Sequence, residues 1–341
     1  MTTRTLTPTV TRAIIGWLIV AAILVLLWAL VDNNYHLRLL IGAGTLMIAV
    51  IPFGLLMGHM GYMAMGQGGF VGVGAYVIGC FTVQRFELDF WAVLPIAAIL
   101  TGVLAYGFSF LLFRLRGYHF SIGTLALGQL LYLAFDSWEW VTGGPHGTSG
   151  IPRPAFGEYV FATNSRFFFL VAAFLLVSAF SSWWLARGHV GRALNAIRQD
   201  EDLAAARGLN VLRYKQFIFV FAAVWAGVSG ALYASMQISI DPSSFTIWSS
   251  FQQVIFVIIG GSGTMLGPVI GVIFITFLDQ LIADFGVWNQ LILGSLIVIT
   301  VLFFRGGLWG GVRMLTKLAL RTARFLRPPK APRAPRRGAA E

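Results

Sequence analysis

Residues 187–216 read RGHVGRALNAIRQDEDLAAARGLNVLRYKQ, a long charge-rich segment set between strongly apolar runs. It carries the basic residues Arg187, Arg192, Arg198, Arg207, Arg213 and Lys215, and the consecutive acids Asp200, Glu201 and Asp202. A charge at the centre of a bilayer costs about 2.5–3.5 kcal/mol on insertion scales, so this segment belongs in water. Its composition is still that of an ordered chain, with Leu194, Ile197, Leu203, Ala204, Ala205 and Ala206 at near-helical spacing. Acids crowd the start of the LAAAR run, Arg207 closes it and Gly208 offers a left-handed stop, which predicts a short helix ending at Gly208. The alanines leave a shallow face that another protein could approach closely. A loop lying on lipid headgroups is the plainer alternative.

Around this segment the composition is that of a membrane protein. The 341 residues are 57% hydrophobic and 11% charged, with mean hydropathy +0.79, against roughly 25% charged residues in a soluble domain. Apolar runs long enough to cross a bilayer recur at 13–31, 38–57, 62–83, 90–113, 118–140, 166–186, 217–238, 249–260, 266–283 and 287–304. The expected fold is all-α, a polytopic transmembrane bundle of eight to ten spans with broken or re-entrant helices. Residues 1–12 form a tail, 13–304 the membrane domain with 187–216 as a loop within it, and 305–341 a basic tail. From about residue 327 the tail reads RPPKAPRAPRRGAAE, a proline-rich stretch with nothing to bury, expected to be disordered beside anionic lipid headgroups.

The net charge of +11 does not point to nucleic acid, because the basic residues collect between spans and after residue 305 instead of forming a patch on a folded domain. With ten spans, twenty of the 24 Lys and Arg fall on the side of the termini and of the long loop. By the positive-inside rule that side is cytoplasmic. Only Arg38, Arg85, Arg153 and Arg166 fall opposite. Cys80 stands alone, which excludes an internal disulfide and suits packing.

Glycine breaks this pattern twice. Residues 58–74 read GHMGYMAMGQGGFVGVG, and Gly260-Gly261-Ser262-Gly263 splits the apolar stretch 249–283 ahead of Gly267-Pro268. Helix breaks at membrane depth are tolerated where neighbouring protein or water satisfies the freed backbone groups. Close helix packing through small residues is the simpler account of 58–74. Gln67, an amide near a broken helix, favours contact with a polar solute. The stretch 249–283 reads equally as two spans or as a re-entrant hairpin.

Catalytic machinery is missing from the sequence. There is no phosphate-binding glycine loop with its Lys-Ser/Thr, no HExxH, no GxSxG and no cluster of Cys and His. The five histidines are scattered, so neither a metal nor another cofactor is expected. Asp136, Glu139, Asp279 and Asp284 fall near outer ends of spans, not at the mid-membrane positions that proton-driven carriers use as relays. A self-sufficient carrier or channel, which would need a coupling-ion site or filter in this chain, is the rival reading.

The 187–216 segment resembles the coupling loop of ABC importer permeases, whose pattern is Glu-Ala-Ala, three residues, Gly, nine residues, then Ile-x-Leu-Pro. Asp202-Leu203-Ala204 precede Gly208 at the matching distance and Ile218 follows ten residues later, while Val220 and Phe221 replace the Leu and Pro. More of the chain resembles the LivM-type permeases of branched-chain amino acid importers. The matching stretches are GHMGYMAMGQGGFVGVGAY (58–76), RGYHFSIGTLALGQLLYL (116–133), TGGPHGTSGIP (142–152), GRALNAIRQDEDLAAARGLNVLRYK (191–215), AGVSGALYA (226–234) and IGGSGTMLGPVIG (259–271).

The resemblance implies a bacterial inner-membrane subunit with both termini cytoplasmic. It implies as partners a second, LivH-like permease, two cytoplasmic ABC ATPase subunits and a periplasmic substrate-binding protein. Permeases for urea and short amides are similar enough to leave the solute open. The residues expected to couple to the ATPases are Arg198, Asp202, Ala204, Ala205, Gly208 and Ile218. Those expected to border the translocation route are Gln67, Gly68, Gly69, Thr124, Gln129, Gly260, Gly261, Ser262 and Gly263.

Overall fold

The computed structural model describes residues 33–84, 88–157 and 159–282, together with scattered positions in 17–29 and 286–310. The expected spans 13–31 and 287–304 and the tails 1–12 and 305–341 otherwise lie outside the described residues. What is described is an all-α membrane bundle. Helix α1 (Asn34–Leu55) begins at Asn33, whose side chain accepts the Tyr35 N–H at 3.0 Å, and runs on through a π-helical turn, Leu56–Met60. It is followed by α2 (Gln67–Gly79) with a second π-helical turn, Cys80–Gln84, then α3 (Phe90–Leu112), α4 (Tyr118–Ser137) and the single turn α5 (Glu139–Thr142). Next come α6 (Asn164–Arg187), α7 (His189–Gln199), α8 (Glu201–Ala206), α9 (Val211–Gln237), α10 (Ile247–Gly260) and α11 (Gly267–Ile282).

Among the described residues four helices are long and apolar enough to cross a membrane: Asn34–Met60, α3, α6 and α9. Several faces of the bundle are apolar outside as well as inside. On α3, Val93, Ala97 and Ala105 are buried while Ile99, Val103 and Leu111 are exposed, a distribution that suits hydrocarbon as the solvent.

Helix α9 is the axis of the bundle, packed by α1, α2 and α3. With no hydrophobic drive between helices in lipid, close backbone approach and polar stitches decide which faces meet. A Cβ on Gly230 would stand 1.9 Å from the Val71 carbonyl oxygen, and one on Gly74 would stand 2.0 Å from that of Gly227. The α2–α9 crossing is therefore backbone against backbone, and most of the glycine run at 58–74 is spent on packing. Ser229 stitches α9 to α1 by donating to the Thr45 carbonyl at 2.6 Å. A second stitch answers a proline. Pro52 lacks the N–H that would bond the Ile48 carbonyl four residues back, and the Ser178 hydroxyl of α6 donates to that carbonyl at 2.9 Å instead.

The two ends of the bundle differ. One carries α7, α8, Arg114 and Arg116. At the other, β1 (Thr148–Ser149) pairs antiparallel with β4 (Ser239–Ile240), and β2 (Ala155–Phe156) with β3 (Tyr159–Val160). Arg38, which donates to Gln237 at 2.9 Å, and Arg153 and Arg166 lie at this second end.

Two helix starts differ from the sequence expectation. The second described helix starts at Gln67 and not at 62, leaving 61–66 non-helical. Helix α9 starts at Val211 and not at 217, so Arg213 and Lys215 are helical. Lys215, expected in water, is 4% exposed, because Glu201 is there to pair with it. The stretch 249–283 forms α10 and α11, of 14 and 16 residues. At 1.5 Å per residue these are about 21 and 24 Å long, short of a hydrocarbon core of about 30 Å. They fold back on one another at 261–266, where a Cβ on Gly260 would stand 1.8 Å from the Gly267 carbonyl oxygen.

Gly230→Leu is expected to destabilise the purified protein by more than the 1–3 kcal/mol typical of an overpacked core, since backbone cannot yield as a side chain does. Gly107→Leu, whose Cβ would meet nothing within 4 Å, is expected to melt like the wild type. Thermal unfolding in detergent compares the two.

Candidate functional site

The charge-rich segment folds as a helical hairpin on one end of the bundle. Asp200 separates α7 from α8 and caps α8, its carboxylate accepting the Leu203 N–H at 2.9 Å. At the other end of α8 the Gly208 N–H donates to the Ala205 carbonyl at 2.9 Å and the Leu209 N–H to the Ala204 carbonyl at 3.2 Å. With Gly208 at φ +85, this is the left-handed two-bond stop that glycine supplies without steric cost. Asn210 then caps α9 by accepting the Arg213 N–H at 3.2 Å.

The hairpin has an inner and an outer face. Leu194, Ile197 and Ala204 are buried, Ala204 at 3% exposure. Asp202, Ala205 and Ala206 face outward with Leu203, which is 52% exposed. Of the two alanines expected to admit a partner, Ala205 is thus presented and Ala204 packs inward. Ile218 is fully buried in α9.

On the inner face Arg198 donates to the Gly58 carbonyl, and Glu201 accepts from Tyr62 and from Lys215, each at 2.6 Å. Burial alone would push the Glu201 carboxyl up. The hydrogen bonds from Lys215 and Tyr62, with the charges of Lys215 and Arg116 nearby, overcome this and hold it below the usual carboxylate range. The carboxylate's contribution is therefore present at neutral pH and is lost only as pH falls through that lowered value.

The non-helical segment 61–66 leads from this end to the start of α2. Gln67, 1% exposed, donates from its side-chain amide to the Ala222 carbonyl at 3.1 Å. Ala222 is eleven residues into α9, or about 17 Å along it, so α2 begins near mid-depth. Freed backbone donors there have protein partners, as hydrocarbon requires. The Met65 N–H donates to Thr124 Oγ1 at 2.9 Å, the Gly68 N–H to Ser250 Oγ at 3.0 Å and the Gly69 N–H to the Gly66 carbonyl at 3.2 Å. Ser250 lies in the first turn of α10, so the first turns of α2 and α10 abut. Gly61, at φ +80, makes the turn into 61–66.

The residues expected to border a route separate into two levels. Gln67, Gly68, Gly69 and Thr124 come together at the mid-depth break and are buried. Gly260, Gly261, Ser262 and Gly263 lie at the other end of α10, on the α7–α8 side, where Gly58 packs on the Ser262 carbonyl. Helix α10 joins the levels. Gln129, half-buried on α4, is five residues from Thr124 and on another face. Sequence reasoning missed Tyr62, Glu201 as distinct from its acidic neighbours, Lys215 as a buried cation, and Ser250. Asp200 followed by a backbone turn carried a readable capping signal. Nothing in the sequence pointed from Tyr62 to residues 139 and 153 positions away.

The family described as "Branched-chain amino acid transport system / permease component" matches residues 35–302. The high-affinity branched-chain amino acid transport system permease protein LivM of Escherichia coli (strain K12) is 30% identical over 299 residues, covering 80% of this chain and 70% of LivM. The LivM of Salmonella typhimurium matches to the same extent. The autoinducer 2 import system permease protein LsrC of Klebsiella pneumoniae is 29% identical over 221 residues, 61% of each chain.

Thr124→Val keeps the shape of the side chain but strands the part-buried Met65 N–H, and is expected to cost about 1–3 kcal/mol. Thr124→Ser, which keeps the acceptor, is expected to cost less than half as much. Thermal unfolding of the two variants side by side checks this.

Proposed function

This chain belongs to the family of branched-chain amino acid transport system permease components, and on that premise we propose that it passes branched-chain amino acids through the bacterial inner membrane. It is a permease subunit of an ABC importer. The work of transport comes from two cytoplasmic ATPase subunits, a periplasmic binding protein delivers the solute, and a second, LivH-like permease completes the membrane core. The α7–α8 end is the cytoplasmic one. The collection there of Arg114, Arg116 and the basic residues of 187–216 supports this by the positive-inside rule, and it leaves β1–β4 facing the periplasm with both termini in the cytoplasm.

One observation carries the reading: α8 is a short helix capped at both ends, by Asp200 and by Gly208, that presents Asp202, Leu203, Ala205 and Ala206 away from the bundle. Capping fixes the pose of a helix too short to be stable by itself, and small side chains let a partner surface come close. Movement of the ATPases would carry α8, and with it α6 and α9 on either side, as rigid elements. Arg198 and Ile218 serve coupling from inside, anchoring the hairpin to α1 and to the bundle. Gln67, Gly68, Gly69, Thr124 and the 260–263 turn serve the route by holding broken helices in place, and Gln129 borders it from α4.

Under this reading the ATPase subunits co-purify with the protein, and the binding protein alone is thermally stabilised by branched-chain amino acids. A β-branched residue in the left-handed region costs about 1–2 kcal/mol, so Gly208→Val is expected to lower solute uptake by reconstituted complex by roughly ten-fold. Coupled uptake at the wild-type rate would overturn the assignment of α8, and accumulation of solute by the lone chain without nucleotide would overturn the importer reading as a whole.

A further inference from the structure

Below the mid-depth break, five chain segments converge on one partly buried ion pair. The Lys215 ammonium, in the first turns of α9, stands 2.6 Å from Glu201 Oε1 on α8. It also donates to the Tyr62 hydroxyl at 2.7 Å, and that hydroxyl donates to the same Oε1 at 2.6 Å. The ammonium lies 4.5 Å from the centre of the Tyr62 ring, whose other contacts are edge-on to Phe113 after α3 and to Phe120 in α4. The cluster is a closed triangle in which each polar group bonds the other two. A partly buried network of this kind adds little net stability over an apolar filling but fixes geometry.

Mechanically, the triangle sits where a displacement would be passed on. Tyr62 lies in the non-helical segment 61–66, and Met65, Gln67 and Gly68 beyond it are held at mid-depth. Consecutive Cα atoms stay about 3.8 Å apart, so Tyr62 and Met65, three residues on, can never part by more than about 11 Å. A second tie runs parallel, from Arg198 of α7 to the Gly58 carbonyl. There is also room to move, in an open cleft of about 590 Å³ bordered by Met57, Met60, Met63, Ile197, Ile258 and Ser262.

We propose that Glu201, Tyr62 and Lys215 are positioning residues that tie α8 to the 61–66 segment, so that displacement of α8 is delivered to the mid-depth start of α2. This rests on the reading of α8 as the helix that meets the ATPases. The outward face of α8 makes that contact, and the triangle hands its motion on.

The test is made on the assembled importer in proteoliposomes, with binding protein and leucine, reading solute moved per ATP hydrolysed. Wild type is compared with Glu201→Gln, Tyr62→Phe and the Glu201→Gln/Tyr62→Phe double variant. Each single variant is expected to keep the ATPase subunits through purification, to keep hydrolysing ATP, and to lose solute moved per ATP by about ten-fold, the scale of one charge-assisted hydrogen bond. The double variant is expected to lose no more than the worse single one, because both break one triangle. An unchanged ratio in Tyr62→Phe, or a loss explained wholly by lower Tm or by lost ATPase subunits, overturns the proposal. Should Glu201→Gln fail to assemble, Tyr62→Phe, which removes a single hydroxyl, decides alone. Absence of ATPase subunits from the wild-type preparation would sink the docking reading itself, and is distinct from either result.

Discussion

Hydrocarbon offers no hydrogen bonds, so every backbone group placed in it needs a partner from the protein. That constraint organises the chain. Where the helices are continuous it is met within each helix. Where they are not, a side chain from elsewhere is stationed at the gap: Thr124 at Met65, Ser250 at Gly68 and Ser178 at the Ile48 carbonyl freed by Pro52. These hydroxyls lie far from their partners in sequence, and each one fixes which helix must stand beside which. The break that starts α2 at mid-depth is in this sense a built feature, because removing its partners would leave orphaned donors in oil.

Around that constraint the bundle needs a helix that others can approach without side chains in the way, and α9 is that helix. Its Gly230 lets α2 lie backbone to backbone across it and its Gly227 admits Thr101 of α3, while Ile218, Phe219 and Ala222 fill the space toward the α7–α8 end. The same helix carries Lys215 at its base and the Ala222 carbonyl that holds Gln67. Packing, charge pairing and the position of the break therefore all refer to one element.

Much of this was legible in the sequence. Periodicity, charge distribution and glycine placement located the described apolar helices to within about six residues, the polar hairpin, the stop at Gly208 and the break near Gly260. What could not be read depends on distance in the chain. Lys215 read as a solvated cation because its partner, fourteen residues earlier, was one of three adjacent acids, and only the turn of α8 selects Glu201 as the one that faces inward. That Gln67 bonds the Ala222 carbonyl and Thr124 the Met65 N–H could not be read either, because a polar residue in an apolar run signals function or a satisfied backbone group with equal strength. The start of α2 was placed at 62 because Tyr62 and the methionines beside it suit a helix, and the tie that holds Tyr62 out of one is tertiary.

The β1–β4 ladder has a consequence for how the protein comes to be made. Thr148 faces Ile240 across it, about ninety residues apart, and long-range pairings of this kind close late. During synthesis, α6 through α9 must all be threaded into the bilayer before the two strands can meet. The ladder then shuts like a clasp on a finished loop, pinning the far ends of α4 and α9 together. A translocon that released the chain before residue 240 would deliver a bundle without that clasp.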